Sequence, residues 1–154
     1  MTGLIDIGLN LMHKSFDKNR EEIIRKIPNK KAESVVKELN KLEQFFGSKN
    51  FREKFKTITC DNGVEFLNHE GIEKSIRTKI PRTKVYYCHP YSSWERGTNE
   101  NCNKLIRRFI PKGAIMEDYS KEDIKYIESW INNYPRKILG GISSDEYRKR
   151  LSTA

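Results

Sequence analysis

The chain of 154 residues is long enough to form one domain with a hydrophobic core. Lysine and arginine number 30 against 21 aspartate and glutamate, so the formal net charge is +9, which favours an anionic partner such as nucleic acid over a merely solvated basic surface. No apolar run approaches the roughly 18 residues of a membrane-spanning helix, and the three cysteines form no CxxC pair, which argues against a disulfide framework or a structural zinc site.

Hydrophobic spacing predicts strands and helices mixed along the chain, as in α/β domains. The first helix has apolar residues at steps of three and four, Asn29 can cap it, and Gly47 can end it. Ser120 can cap the last helix, which Pro135 stops. The predicted elements are strands over 21–27, 54–60 and 83–88, helices over 31–46, 68–76, 100–110 and 121–134, a loop over 89–99 and a basic tail after residue 135.

The run TITCDNGVEF, residues 57–66, is an apolar strand that ends on Asp61. By themselves, Asp61, Asn62 and Gly63 are typical of a tight turn, because Asn and Gly tolerate positive φ. Glu100 by itself only favours the dipole of the helix that it begins. Together, however, the two carboxylates stand at a strand end and a helix start, where α/β folds place their sites. A divalent cation such as Mg²⁺ would resolve their repulsion and share phosphate oxygens, so the pair indicates phosphodiester chemistry.

Longer stretches of the sequence resemble a known family. The segments TITCDNGVEF, HPYSSWERGTNENCNKLIRRFIPKG and NNYPRKILGG, with the upstream block REEIIRKIPNKKAESVVKELNKLE, are similar to the catalytic core of bacterial insertion-sequence transposases. The family is the insertion-sequence family numbered thirty, within the retroviral-integrase superfamily. The resemblance covers about residues 20–147 and implies an RNase H-like fold, in which helices flank a central mixed β-sheet.

The resemblance also implies a catalytic triad of Asp, Asp and Glu. The second Asp closes a strand just before NG and maps to Asp61, and the Glu lies within GTNEN and maps to Glu100. Glu95 is the competitor, because 33 residues separate it from Asp61, about the usual spacing, against 38 for Glu100. The motif SSWERGTNEN fixes the register on Glu100, and the basic stretch RTKIPRTK accounts for the extra residues.

The first Asp of the triad has no evident counterpart. In the family it lies on the first strand, in a Gly-Asp stretch well before the Arg20 block, and MTGLIDIGLNLMHKSFDKNR does not match that pattern. Asp6 has strand-like neighbours and is the candidate, whereas Asp17 lies too close to Arg20. We therefore expect a divergent segment over 1–19 and a catalytic-core-like domain over 20–154, from a C-terminal piece of a transposase without the family's helix-turn-helix region.

By this resemblance the chain is expected to be a DDE-type transposase or integrase, which cleaves and transfers DNA strands using two Mg²⁺ or Mn²⁺ ions held by Asp61, Glu100 and the first Asp. The alternatives are an inactive remnant that only binds DNA or dimerises, and a small nuclease that cleaves without joining. The expected partners are transposon ends and target DNA, with a homo-oligomer on DNA and no membrane. The expected location is the bacterial cytoplasm, at the nucleoid.

Cations and aromatic side chains near Glu100 are the predicted DNA contacts. The candidates are Tyr91, Trp94, Arg96, Lys104 and Arg107. The last two lie on the helical face of Glu100 and can reach phosphates, while an aromatic ring in the preceding loop can stack on a base for about 1–3 kcal/mol. Trp94 could equally anchor its loop on the core. Arg136 and Lys137 could contact the DNA backbone or simply be solvated, and the sequence favours solvation.

Overall fold

The structure, a computed structural model, describes residues 3–8, 20–60, 62–87, 89 and 97–154, and for 3–8 and 97–100 it describes the backbone alone. Strands and helices are interspersed along these ranges, which confirms the α/β class. The strands are β1 (Gly3–Gly8), β2 (Glu22–Ile27), β3 (Thr57–Cys60) and β4 (Lys84–Tyr87). The helices are α1 (Ala32–Phe46), α2 (Ser48–Lys54), α3 (His69–Glu73), α4 (Gly97–Ile106), α5 (Lys121–Asn133) and α6 (Ser144–Thr153). None of the helices in the described ranges is long and apolar enough to cross a membrane.

The described strands form two ladders. β1 runs antiparallel to β2, with Asp6 opposite Ile24, and β3 runs parallel to β4, with Cys60 opposite Tyr87. A parallel pair needs a crossover connection, and here α3 lies within it. Because β3 and β4 are parallel, their carboxyl ends lie at the same edge of the ladder.

Strand β2 is buried on both faces, because side chains at alternate positions of a strand point to opposite sides. Ile23 and Ile27 pack into a first core with α1 and α2, and Ile24 packs into a second core with α4 and α5. The first core contains Ile23, Ile27, Val35, Leu39, Leu42, Phe51, Phe55 and Ile72. The second contains Ile24, Cys102, Ile106, Ile110, Ile124, Ile127 and Ile131.

Side chains from neighbouring helices cover backbone groups at the outer edges of both ladders. Asn132 of α5 accepts a hydrogen bond from the backbone N–H of Glu22 and donates one to its carbonyl, both at 2.8 Å. Glu128 of α5 accepts from the N–H of Ile24 at 2.6 Å, and Glu73 accepts from the N–H of Val85 at 2.8 Å. These bonds occupy groups that could otherwise pair with a foreign strand.

Helix α1 confirms the first predicted helix to within a residue. It ends at Gly47, whose φ of +79° is a conformation that favours glycine. Its N-cap residue is Lys31, without a side-chain cap. Asn29, predicted to be the cap, instead accepts hydrogen bonds from the N–H of Lys31 at 3.0 Å and the hydroxyl of Ser34 at 2.7 Å.

Helix α5 confirms the predicted cap at Ser120. The Ser120 hydroxyl accepts from the N–H of Asp123 at 3.0 Å, and the Asp123 carboxylate accepts from the N–H of Ser120 at 2.7 Å. The two bonds form a capping box, which satisfies backbone donors at both positions.

Two helices were not predicted. The basic tail after Pro135 contains α6, for which Ser143 is the N-cap and accepts from the N–H of Glu146 at 3.1 Å. Its sequence SDEYRKRLST has no apolar stripe that would reveal a helix by periodicity. Helix α2 is too short for periodicity to identify it.

Candidate active site

Asp61 is the next residue after Cys60, the buried last residue of β3, and itself lies outside the described residues. In the chain it therefore comes directly after the end of the ladder at which β3 and β4 have their carboxyl termini. A short 3-10 helix, Val64–Phe66, follows soon after Asp61, and the N–H of Phe66 donates to the carbonyl of Gly63 at 3.0 Å. Gly63 has a φ of −66°, which any residue can adopt, so this position does not use the left-handed conformation that favours glycine.

The hydroxyl of Tyr87 fixes the segment after Asp61. Tyr87 is the register partner of Cys60, and its hydroxyl donates to the carbonyl of Phe66. Burial, together with the nearby Cys60 and Glu73, raises the pKa of Tyr87. The phenol therefore stays protonated near neutral pH and remains a donor. Sequence reasoning did not single out this residue, because only the parallel register of β3 and β4 brings it close to the segment after Asp61.

Glu100 lies in the first turn of α4, which begins at Gly97, inside the predicted loop. The side chain of Glu100 is outside the described part of the structure. The helix is held by Cys102 and Ile106, which are buried in the second core, and it also contacts β1. The second core and β1 therefore support the helix that carries Glu100.

Asp6 lies on β1, opposite Ile24 of β2. A metal ligand shared with Asp61 would lie on a strand adjacent to the strand that leads to Asp61, which is β3. In the described ranges β1 is paired with β2, and no ladder joins β1 to β3. The side chain of Asp6 is not described, so its role as a ligand stays a prediction.

Two of the predicted DNA contacts lie in the described part of the chain, and both are exposed. Lys104 is in the last turn of α4, and Arg107 follows the helix, its N–H donating to the carbonyl of Asn103 at 2.9 Å. The Arg107 guanidinium donates to the carbonyl of Ile110 at 3.3 Å. Neither cation forms an ion pair with a described residue. The other candidates, Tyr91, Trp94 and Arg96, lie outside the described residues.

Among the described side chains, no group of three histidine, cysteine, aspartate or glutamate residues is arranged to hold a metal ion. The side chains of Asp6, Asp61 and Glu100 are not among those described. The donor chemistry of these three fits a hard divalent cation, because Mg²⁺ prefers carboxylate oxygens and takes its remaining ligands from water and phosphate.

The expectation that Arg136 is solvated was wrong. Its side chain is 12% exposed, and Nη1 lies 3.5 Å from a carboxylate oxygen of the buried Glu22 on β2. Its carbonyl accepts from the N–H of Gly141 at 3.0 Å, and its N–H donates to the carbonyl of Ile142 at 3.0 Å. Together with Asn132, this residue makes the NNYPRKILGG segment a support for β2. Lys137, by contrast, is exposed, as expected.

No protein-family model matches the chain. It is 41% identical over 128 residues to the transposase for insertion sequence element IS4351 of Bacteroides fragilis, which is 83% of this chain and 36% of that protein. It is 36% identical over 122 residues to the transposase InsI for IS30C of Escherichia coli, which is 79% of this chain and 30% of that protein. It is also 42% identical over 84 residues to the transposase for IS1086 of Cupriavidus metallidurans, which is 54% of this chain and 23% of that protein.

The chain spans about a third of the length of the first two of these relatives. Those two matches cover about four fifths of this chain, and both matched proteins are named transposases of insertion sequence elements. The chain therefore belongs, over about four fifths of its length, to the family of insertion-sequence transposases of bacteria.

Proposed function

We propose that this chain is the strand-cleaving and strand-joining part of a transposase, with Asp61 and Glu100 as catalytic metal ligands. The observation that carries the proposal is the identity of 36% to 41% with insertion-sequence transposases over about four fifths of the chain. The substrates are the transposon ends and the target DNA, and the net charge of +9 suits that polyanion.

The placement of the supporting elements favours these two carboxylates. Asp61 follows strand β3, whose carboxyl end lies beside that of β4. Glu100 lies in the first turn of α4, a helix that is anchored in the second core. Asp6, on β1, is the candidate for the third ligand. When bound, divalent cations would activate the attacking oxygen and stabilise the leaving oxygen of the phosphodiester. The protein contributes the acidic ligands and the strand end that holds one of them.

The basic surface that begins at α4 is suited to position DNA beside these carboxylates. Lys104 stands one helical turn from Glu100, so both lie on the same face of α4. Arg107 and Lys104 are exposed and can each neutralise a phosphate. Tyr91, Trp94 and Arg96 are proposed to contact the strand end that reacts.

The finer fold assignment is part of the same proposal: we infer an RNase H-like core. The supporting observations are a parallel β3–β4 pair joined through α3, an antiparallel β1–β2 pair, and helices packed on both faces of β2.

The experiment is a cleavage assay with the full chain, Mg²⁺ or Mn²⁺, and linear duplex DNA that carries the terminal repeats of the element. We expect metal-dependent nicking by the wild type and its loss in Asp61→Asn and Glu100→Gln. The matched control is Glu95→Gln, the competing carboxylate in the same motif, which should keep activity.

The results of this assay distinguish the proposed transposase from a DNA-binding module and from a nuclease. Activity that survives in Glu100→Gln but disappears in Glu95→Gln would overturn the assignment of Glu100. Binding of duplex DNA without cleavage under all metal conditions would favour a non-catalytic binding module. Nicking without any joined product would favour a nuclease.

A further inference from the structure

The stretch that lengthens the spacing between Asp61 and Glu100 forms a basic surface that the proposed site does not use. We call residues 74–84 the basic loop. Its exposed cations are Lys74, Arg77, Lys79 and Lys84, and the segment contains no aspartate or glutamate. The loop leads directly into β4.

The basic loop is held from inside by a buried ion pair. Arg82 and Glu43 of α1 are both fully buried, with Arg82 Nη1 3.2 Å from a Glu43 carboxylate oxygen. The buried hydroxyl of Ser75 also donates to Glu43. Because Glu43 balances the charge of Arg82 in the interior, the outward field of the loop comes from its exposed cations.

Further hydrogen bonds fix the backbone on which these cations stand. The Ser75 hydroxyl oxygen accepts from the N–H groups of Arg77 and Thr78, both at 3.2 Å. The N–H of Arg82 donates to the carbonyl of Glu73 at 2.8 Å. A surface that is ordered before it binds loses less conformational entropy on binding.

The exposed cations have no acidic partner in the described part of the chain. Lys74, Arg77 and Lys79 form no ion pair there, and the ammonium of Lys84 lies 5.3 Å from the centre of the Tyr86 ring. Each of these exposed cations can neutralise one phosphate of a nucleic-acid backbone, a contact that carries no base information.

The last residue of the basic loop, Lys84, is at the opposite end of the ladder from the strand end that Asp61 follows. Lys84 is the first residue of β4 and lies opposite Thr57, whereas Cys60 is the last residue of β3, and a strand of this length spans about 10 Å. A phosphate contact at Lys84 is therefore separate from a contact at the strand end that Asp61 follows.

We propose that the basic loop is a second contact surface for the sugar-phosphate backbone of duplex DNA, separate from the surface of Lys104 and Arg107. The proposal rests on the proposed function, because it takes DNA to be the substrate. The contact depends on charge and contributes affinity without sequence preference.

The test compares full-length variants by the dependence of duplex affinity on salt. The slope of log affinity against log salt is negative. The triple variant Lys74→Gln, Arg77→Gln, Lys79→Gln should make it less steep by about 2.7, which is roughly 0.9 for each phosphate that the loop no longer neutralises. The matched control removes three exposed lysines from α5 and α6, as Lys121→Gln, Lys125→Gln, Lys149→Gln, and should leave the slope unchanged.

A second readout is the rate of lysine acetylation with and without duplex DNA. DNA should slow acetylation of Lys79 and Lys84 but not of Lys121 and Lys125, whereas equal protection of both pairs would overturn the proposal. If the salt slope of the loop variant equals that of the wild type while the slope of Lys104→Ala is less steep, this inference alone would be overturned. Absence of DNA binding by the wild type, or tighter binding to polyglutamate than to duplex DNA, would overturn the proposed function as well.

Discussion

At the scale of single residues, Glu43 and Arg82 form an ion pair in which both side chains are fully buried. Besides Glu43, the Arg82 guanidinium donates to the carbonyls of Ile72 at 2.8 Å and Gly71 at 3.0 Å, and to Asn40 at 2.7 Å. Every one of these acceptors lies outside the segment in which Arg82 itself stands. One side chain therefore connects α1, α3 and the basic loop.

Replacing Arg82 with methionine should strongly destabilise the fold, because it leaves Glu43 buried without its counter-charge. Removal of one partner of a buried pair typically costs about 3–5 kcal/mol. The measurement is the free energy of unfolding from urea denaturation. Arg77→Met, at an exposed position of the same loop, is the control and should change that free energy by less than about 0.5 kcal/mol. A small effect of Arg82→Met would show that the pair is not needed for stability.

The carboxyl of Glu43 should also make stability depend on pH. Burial raises its pKa, but hydrogen bonds from Ser75, Ser48, the N–H of Ile76 and Arg82 outweigh burial and hold it below its usual value. A carboxyl whose pKa is lowered by folding stabilises the protein above its unfolded pKa of about 4.3, and that contribution is lost as pH falls through the folded pKa.

Glu43→Gln should therefore be less stable than wild type at neutral pH, with a gap that narrows below about pH 4. The measurement is urea denaturation at a series of pH values. A gap that stays constant down to the acid limit would contradict the lowered pKa of Glu43.

At the scale of elements, α5 supports β2 through its side chains as well as by burial. Its apolar residues fill the second core, while Asn132 and Glu128 bond to the backbone of the strand. Glu128 also pairs with Arg25 at 2.6 Å. The helix thus supplies the partners that a neighbouring strand would otherwise supply.

Asn132→Ala should destabilise the fold by about 2–4 kcal/mol, because it removes two buried hydrogen bonds, one with the N–H and one with the carbonyl of Glu22. The amide of Glu22 should exchange faster with deuterium. The control is Asn133→Ala, one residue further along, since Asn133 is exposed and bonds only to the carbonyl of Ser129 within its own helix. Equal effects of the two substitutions would argue against the edge contact.

Elements with a periodic apolar stripe could be predicted from the sequence, and elements defined by tertiary contacts could not. The stripes of α1 and α5 and the apolar runs of β3 and β4 led to correct assignments. Glu43 falls within the stripe of α1, four residues after Leu39, yet only the fold shows Arg82 opposite it. In the same way, nothing local to NNYPRKILGG reveals that Arg136 faces Glu22. Asp61 and Glu100 remain predictions from motifs.

At the scale of the whole molecule, the net charge of +9 is distributed so that separate surfaces can meet an anionic polymer. One surface begins at α4 and includes Lys104, and the basic loop forms another. Counterion release makes such binding depend steeply on salt and only weakly on sequence.

Lys104→Ala and Arg107→Ala should each make the negative slope of log affinity against log salt less steep by about one, if each residue contacts one phosphate. Asp61→Ala should not weaken binding in the absence of metal, because it removes a carboxylate that repels phosphate. The measurement is duplex affinity across a salt series. Unchanged slopes for both basic variants would move the path of the DNA away from α4.

The burial of β2 on both faces has a consequence for a severed chain. The second-core residues that pack on Ile24 all come from α4 onward. Ion pairs of Arg136 with Glu22 and of Arg148 with Glu21 join the same two parts of the chain. Two polypeptides, residues 1–89 and 90–154, should therefore assemble into a noncovalent complex when they are produced together. Copurification of an untagged half with a tagged one would reveal that complex, and Ile24→Asp should abolish it.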